Sequence, residues 1–155
     1  MWDRLKSINL KYVLLGIFFI VLLMQVIGID QTEPRHLAAD DILVAEAAPI
    51  AVVNIMHSAC YDCHSYETKY PWYSSVAPIS WWTKNHVNEA RENLNFSDWT
   101  HFSLKRQHKK LHECIEEVEE SEMPLASYTY IHKDAKLTQE QRQILANWFE
   151  SILAE

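Results

Sequence analysis

Hydrophobic residues are distributed in two different ways along the chain. Residues 12–29 form a run of 18 residues without a charged side chain, and as a helix this run is expected to be about 27 Å long. The hydrocarbon core of a bilayer is about 30 Å thick. The run is apolar on all sides rather than on one face, which distinguishes it from an ordinary core helix. The sequence therefore predicts one N-terminal transmembrane helix at residues 12–29.

The charges around this run predict its orientation. Arg4, Lys6 and Lys11 precede it against a single acidic residue, and positive charge is retained on the cytoplasmic side of a membrane. No convincing small-x-small cleavage site follows, so the run is expected to be an uncleaved signal-anchor. We therefore expect residues 1–11 in the cytoplasm and the rest of the chain on the extracytoplasmic, periplasmic side of the cytoplasmic membrane, which the chain crosses once.

Residues 30–48 are predicted to form a polar and then alanine-rich linker that is partly helical at residues 38–48, and beyond it apolar residues return at helical spacing. Pro49 opens a short helix, in which Ile50, Val53, Met56 and His57 recur at spacings of three, three and one. Residues 49–155 are therefore predicted to form the folded domain that follows the linker.

Three further helices are predicted in this domain. Two lie at about residues 80–94 and 104–120, and a third starts after Thr138, which forms a capping box with Gln141. The apolar face of this last helix is predicted to consist of Ile144, Leu145, Trp148, Phe149 and Ile152.

Composition narrows the fold class and excludes one class of partner. The chain has only two glycines, both in the apolar run, whereas tight β-hairpins favour glycine at positive φ. The domain is therefore predicted to be all-α. Three of the 14 basic and one of the 21 acidic residues precede residue 30, which leaves residues 30–155 with a net charge of −9. Such an acidic domain is not expected to bind nucleic acid, whose phosphates require basic surfaces.

The most specific chemical signal is the pentapeptide Cys60-Tyr61-Asp62-Cys63-His64. Cys-x-x-Cys-His is the attachment pattern of c-type haem, in which two thiols form thioether bonds to the porphyrin and the adjacent histidine ligates the iron. We predict one covalent haem c on Cys60 and Cys63, with His64 as the proximal ligand. The predicted export agrees with this, because c-type haem is attached outside the cytoplasm.

Two other interpretations of the cysteines remain open. Cys60 and Cys63 could form a redox disulfide or bind zinc, but the sequence shows neither a thioredoxin-like strand–helix–strand context nor a second cysteine pair. Cys114 is predicted to pack as an inert, buried thiol on the helix at residues 104–120.

Other residues are candidates for the haem surroundings. Met123 is predicted to be the sixth iron ligand, because a thioether is a soft ligand that raises the reduction potential. Six aromatic residues crowd residues 65–82, and Trp72 and Trp81 are predicted to wall the haem and exclude water. Arg91 is predicted to pair with a haem propionate.

These stretches together resemble a known family. The matching segments are 60–65, 70–74, 77–81, His86-Val87 with Arg91, 94–99, Met123-Pro124 and the C-terminal helix ending near Trp148. Residues from about 55 to 152 resemble the small haem-binding domain family related to class I cytochromes c. In class I cytochromes c, Met-Pro is followed by an extended stretch and a capped helix. The resemblance implies covalent haem with His64 proximal, and it makes His86 a rival to Met123 as sixth ligand.

Two functions compete. A membrane-anchored mono-haem electron carrier is favoured, and its acidic surface is expected to dock basic redox partner proteins. The alternative is a haem sensor or peroxidase-like enzyme with a labile sixth ligand, for which His86, Tyr128 or His132 would supply polar groups. The sequence favours a carrier over an enzyme and assigns no catalytic residue.

Overall fold

The computed structural model describes residues 9–154, and within them every regular element is helical. The α-helices are α1 (Leu10–Met24), α2 (Ile42–Ala45), α3 (Ile50–Ala59), α4 (Tyr61–His64), α5 (Ile79–Asn93), α6 (Leu104–Glu119), α7 (Ala126–Ile131) and α8 (Gln139–Leu153). Short 3₁₀ helices lie at Ala38–Asp40, Trp72–Ser75, Phe96–His101 and Lys133–Ala135. The predicted all-α class is confirmed.

The chain divides into two units. The N-terminal unit comprises the described residues up to Gln31 together with Tyr70–Asn85, and the core unit comprises Thr32–Lys69 together with the residues from His86 onward. The residues of α5 are therefore shared, with its first half in the N-terminal unit and its second half in the core unit.

Polar side chains cap the helices of the core unit. The Ser103 hydroxyl accepts a hydrogen bond from the Arg106 N–H at the start of α6. At the start of α8, the Gln141 N–H donates to the Thr138 hydroxyl (3.2 Å) and the Thr138 N–H donates to the Gln141 side chain (2.8 Å). This is the predicted capping box, which satisfies two backbone donors that a helix end otherwise leaves unpaired.

The core forms where α3, α6 and α8 pack together. Its buried apolar side chains come only from the core unit: Ile42, Leu43, Val52, Ile55, Met56, Ala59, Tyr61, Leu94, Phe96, Trp99, Leu111, Val118, Leu137, Leu145, Trp148 and Phe149. The predicted apolar face of α8 is confirmed, since Leu145, Trp148 and Phe149 are buried and the other two members pack against the core.

The short helix predicted after Pro49 is confirmed as α3, and Val53 and Met56 of its predicted stripe contact the core, but Ile50 does not. Ile50 is 74% exposed, whereas Val52, Ile55 and Met56 are buried. Residues 50–56 are apolar at nearly every position, so two stripes with helical spacing overlap there. The buried stripe is the one that continues to Ala59, directly before the cysteine motif.

Helix α2 falls within the stretch of the linker that was predicted to be partly helical, whereas α7 was not predicted. Within the predicted linker, Ile42 and Leu43 of α2 enter the core. After Met123-Pro124, the expected extended stretch instead contains α7. Local propensity did not indicate α7, because Ser, Thr, Tyr and Ile are only moderate helix formers. The helix is held by a tertiary contact, in which the Tyr128 hydroxyl donates to Asp62 (2.7 Å).

In the N-terminal unit, α1 occupies most of the predicted apolar run. The helix begins at Leu10, with the Asn9 side chain as its cap, and ends at Met24 rather than at Ile29. None of its residues is buried. Within residues 9–154, no helix combines the length and the apolar character that crossing a membrane requires. Arg4 and Lys6, on which the predicted orientation depends, lie outside the described residues.

Candidate functional site

Two cavities in the core unit border the cysteine motif. The larger, of about 440 Å³, is lined by Cys60, His64 and Met123 together with residues of α3, α6 and α8. The smaller, of about 230 Å³, is lined by Cys63, His64, His86 and Met123 among others. Because His64 and Met123 line both cavities, the fold brings the two cysteines, the histidine and the methionine of the predicted ligand set to one place.

A buried tyrosine fixes the orientation of the motif. The one-turn helix α4 follows α3 directly, and its His64 N–H donates to the Cys60 carbonyl (3.0 Å). Tyr61 is 2% exposed, donates its hydroxyl to Asp41 (2.6 Å) and stacks on Phe96 with a centroid separation of 5.9 Å. With Tyr61 committed to the core, the neighbouring cysteine and histidine line the cavities.

The His64 ring is prepared to act as a ligand. Its Nδ1 lies 3.0 Å from the Leu94 carbonyl oxygen. A carbonyl only accepts, so Nδ1 carries the proton and Nε2 keeps its lone pair, which is the arrangement that metal-ligating histidines use. Burial lowers the pKa of His64, which favours the neutral ring that coordinates a metal.

The remaining polar residue of the motif ties it to α7. The Asp62 carboxylate accepts hydrogen bonds from the Lys69 N–H (3.0 Å) and the Tyr128 hydroxyl (2.7 Å). Burial, followed by this hydrogen bond, raises the pKa of Tyr128, so the phenol stays protonated as a donor. Tyr128 also lines the smaller cavity, next to Met123. Asp62 therefore positions one wall of the site.

The backbone of Met123 is held at both ends. The Met123 N–H donates to the Glu117 carbonyl (3.1 Å), and the Met123 carbonyl accepts from the Arg142 guanidinium (2.7 Å). The same Arg142 nitrogen donates to the Val118 carbonyl (2.7 Å). The turn that leads from α6 to Met123 passes through Ser121, whose φ is 67°. Sequence reasoning found Met123 but missed Arg142, the buried cation that positions it.

Three thiols line the cavities. Burial raises the pKa of Cys60 and of Cys114 to about 12, and burial followed by the nearby Asp62 raises the pKa of Cys63 to about 11. All three are therefore neutral thiols at neutral pH. Cys114 was predicted to be a buried thiol, but its position on the wall of the larger cavity was not predicted. Within residues 9–154, no group of three or more His, Cys, Asp or Glu side chains is placed to hold a metal ion.

Two lysines of α6 bring positive charge to the larger cavity. Lys110 is only 8% exposed and donates to Asn93 and to Glu113, at 2.6 Å from the latter. This hydrogen bond lowers the pKa of Glu113. Lys109 lines the same cavity. The sequence signal for these lysines is a basic cluster in the first half of α6, where it opposes the helix dipole.

Two of the other predicted site residues, His86 and Arg91, belong to the core unit. His86 lines the smaller cavity. Arg91 donates to the Ser65 carbonyl (2.8 Å), to Thr68 (2.8 Å) and to Glu33 (2.5 Å). Its role as a propionate partner stays a prediction.

Trp72 and Trp81 belong to the N-terminal unit. Trp72 is 82% exposed, and the Trp81 indole N–H donates to the Ile27 carbonyl (2.9 Å). Their role as haem walls likewise stays a prediction.

The comparison with protein families gives one result. The model of the haem-binding domain family matches residues 19–151, which is most of the chain and includes both cavities and the cysteine motif. No similar curated protein and no similar solved structure was found. Because the match covers most of the chain and includes the cavities lined by Cys60, Cys63, His64 and Met123, the chain belongs to the haem-binding domain family.

Proposed function

We propose that the protein is a membrane-attached mono-haem c-type cytochrome that transfers electrons on the extracytoplasmic face of the cytoplasmic membrane. The observation that carries the proposal is the convergence of Cys60, Cys63, His64 and Met123 on two adjoining cavities of the core unit. Cys60 and Cys63 would hold the porphyrin through thioether bonds, and His64 and Met123 would supply ligands to the iron.

The residues present fit a haem. The larger cavity, of about 440 Å³, lies in the size range of ligand sites, roughly 300–1,000 Å³, and the smaller one, of about 230 Å³, adjoins it through His64 and Met123. Apolar residues such as Phe96, Val118, Leu137 and Phe149 line the larger one. With the proton of His64 on Nδ1, its Nε2 keeps the lone pair that a metal ligand needs, and the thioether of Met123 is a soft ligand suited to iron.

A bound haem would supply a one-electron redox centre, and the chain would set its properties. His64 is oriented by the Leu94 carbonyl and Met123 by Arg142. A methionine ligand raises the reduction potential relative to two histidines. Lys109 and Lys110 would hold propionate carboxylates, because ammonium groups at the wall of an apolar cavity form strong charge-assisted hydrogen bonds with them.

Surface charge supports a carrier that docks to basic redox proteins. Residues 30–155 carry a net charge of −9, which would attract positively charged partners and accelerate encounter at low ionic strength. We expect reduction by hexaammineruthenium(II) to slow as salt is added and oxidation by ferricyanide to accelerate. Rates with both reagents that do not respond to ionic strength would contradict this proposal.

One observation favours the alternative of a sensor or peroxidase-like enzyme. His86 and Tyr128 line the smaller cavity beside Met123, so two polar side chains border the place of the proposed sixth ligand. Carbon monoxide distinguishes the two functions. A carrier with a firmly bound Met123 would bind it slowly or not at all in the ferrous state, whereas prompt binding would favour the sensor or enzyme.

Membrane attachment is proposed on the composition and exposure of α1. Its fifteen residues include no acidic residue, and none is buried. Exposed apolar surfaces of this extent mark contact with a membrane or a partner. After alkaline carbonate washing of cell membranes, we expect the full chain to stay in the membrane fraction. Release into the supernatant would contradict attachment.

A further inference from the structure

In the N-terminal unit, residues 74–81 are hydrogen-bonded to residues 25–31, which directly follow α1. The Gln25 amide donates to the Ala77 carbonyl (3.1 Å), and the Ala77 N–H donates back to the Gln25 side chain (3.0 Å). The Gln31 amide donates to the Ser74 carbonyl (3.1 Å). With the bond from Trp81 to the Ile27 carbonyl, residues 74–81 are fixed against residues 25–31 by side-chain contacts.

This segment exposes large apolar side chains. Trp72 is 82% exposed, Trp82 52%, Ile79 46% and Val76 40%. We call these four residues the aromatic patch. Ile79 and Trp82 are three residues apart on α5, so they lie on one side of that helix. Large apolar side chains exposed at several positions of one short segment mark an interaction site rather than ordinary scattered exposure.

The segment also lacks negative charge in an otherwise acidic protein. The whole chain carries a net charge of −7, yet no acidic residue occurs between Glu67 and Glu89. The basic residues of that stretch are Lys69 and Lys84. A stretch without carboxylates approaches anionic phospholipid headgroups with less repulsion than the acidic remainder of the chain, and Lys84 is attracted to them.

We infer that the aromatic patch docks on the lipid bilayer surface at the level of the headgroups. The inference rests on the proposed membrane attachment of α1, because the patch is bonded to the residues that follow this helix. Tryptophan is the residue most suited to such a position, since its ring is apolar and its N–H is polar. This gives Trp72 a lipid-facing role instead of the haem-facing role predicted from the sequence.

Photolabelling of the full haem-loaded chain tests the inference. The chain is reconstituted in nanodiscs of phosphatidylcholine and phosphatidylglycerol that contain a phospholipid with a diazirine near its headgroup. After illumination, the adducts are located by mass spectrometry of peptides. We expect adducts in residues 70–85 as well as in α1.

Variants add a quantitative comparison. In the double variant Trp72→Ser/Trp82→Ser, adducts in residues 70–85 should fall several-fold while those in α1 persist. Tyr130→Ser is the matched control, because Tyr130 is an aromatic residue of the core unit that is 77% exposed. It should leave both sets of adducts unchanged.

Other outcomes overturn the inference in distinguishable ways. Adducts in α1 with none in residues 70–85 would refute docking by the aromatic patch and leave membrane attachment intact. Adducts in neither region would refute both. Cross-links between two copies through residues 70–85, without lipid adducts there, would show that a second chain covers the patch. An unchanged adduct level in the double variant would refute the role of the two tryptophans.

Discussion

The two units use apolar side chains for opposite purposes. In the core unit, Met56, Leu111 and Leu145 are at most 1% exposed, and the helices that carry them enclose the cavities beside the cysteine motif. In the N-terminal unit, α1 buries none of its residues, and Trp72 is 82% exposed. Both units contain stretches of apolar residues, so their sequences alone do not distinguish them. The difference is the exposure of these side chains: those of the core unit are buried around the cavities, whereas those of the N-terminal unit face outward and require contact with a membrane or another protein.

The contacts that hold each unit differ accordingly. Burial of apolar area, at roughly 25 cal/mol per Å², stabilises the core unit. In the N-terminal unit, the side chains of Gln25, Gln31 and Trp81 bond to backbone groups. These hydrogen bonds hold the described segments of the N-terminal unit together, although most of its large apolar side chains are exposed and form no core there. The comparison predicts that substitutions in one unit leave the function of the other intact.

The largest effect should follow loss of both motif cysteines. In Cys60→Ala/Cys63→Ala, any retained haem would be held by coordination and burial alone, so acidified acetone should extract it. The wild-type pigment should stay with the protein. Cys114→Ala is the control and should retain covalent haem. Membrane association of the double variant should be unchanged, because α1 lies in the other unit. Pigment that resists extraction from the double variant would contradict covalent attachment.

Arg142→Met should destabilise the core unit. The substitution leaves the buried carbonyls of Val118 and Met123 without their charged donor, at a cost of about 2–4 kcal/mol in the free energy of unfolding. Urea titration measures the loss. The exposed Arg106→Met should change stability by less than about 0.5 kcal/mol. A change in Arg142→Met no larger than that of this control would show that Arg142 does not stabilise the turn that carries Met123.

Removal of the buried lysine should change the haem potential more than stability. Lys110→Met removes a positive charge from the wall of the larger cavity, and this favours the ferric state. Spectroelectrochemical titration should therefore show a lower midpoint potential. The exposed Lys105→Met, on the same helix, is the matched control and should leave the potential unchanged. Equal shifts in the two variants would exclude a local role for Lys110.

The smallest effect should appear in the pH dependence of Glu113. The hydrogen bond from Lys110 lowers the pKa of Glu113 below its ordinary value of 4.5, so the pair stabilises the fold above that pH. The contribution is lost as the pH falls through the lowered pKa. Glu113→Gln should therefore cost less than about 1 kcal/mol at pH 7 and nothing in strong acid. A cost that grows as the pH falls would contradict this assignment. Glu116→Gln, exposed on the same helix, is the control.

Local patterns in the sequence predicted the elements whose signals are local. The capping box at Thr138 and the apolar face of α8 are set by residues three and four apart, and both are confirmed. The motif residues Cys60 and His64 are likewise four residues apart, and they line one cavity.

Features that depend on contacts between distant segments could not be predicted. Helix α7 is held by the bond from Tyr128 to Asp62, 66 residues away in the sequence. Arg142 reaches Met123 from another helix, and Lys110 is buried although lysine is rarely so. No periodicity reveals such pairs. The helical stripe of α3 was ambiguous for a different reason, because almost every residue in it is apolar.

The most direct test of the proposed site is the absorption spectrum of the full chain, produced in cells that attach c-type haem, in comparison with Met123→Ala. The wild type should bind haem covalently and show a low-spin ferric spectrum with the weak far-red band of sulfur ligation. The variant should lose that band, whereas Met24→Ala, in α1, should keep it. A colourless wild-type protein would contradict haem binding at this site, and a spectrum unchanged by Met123→Ala would contradict Met123 as the ligand.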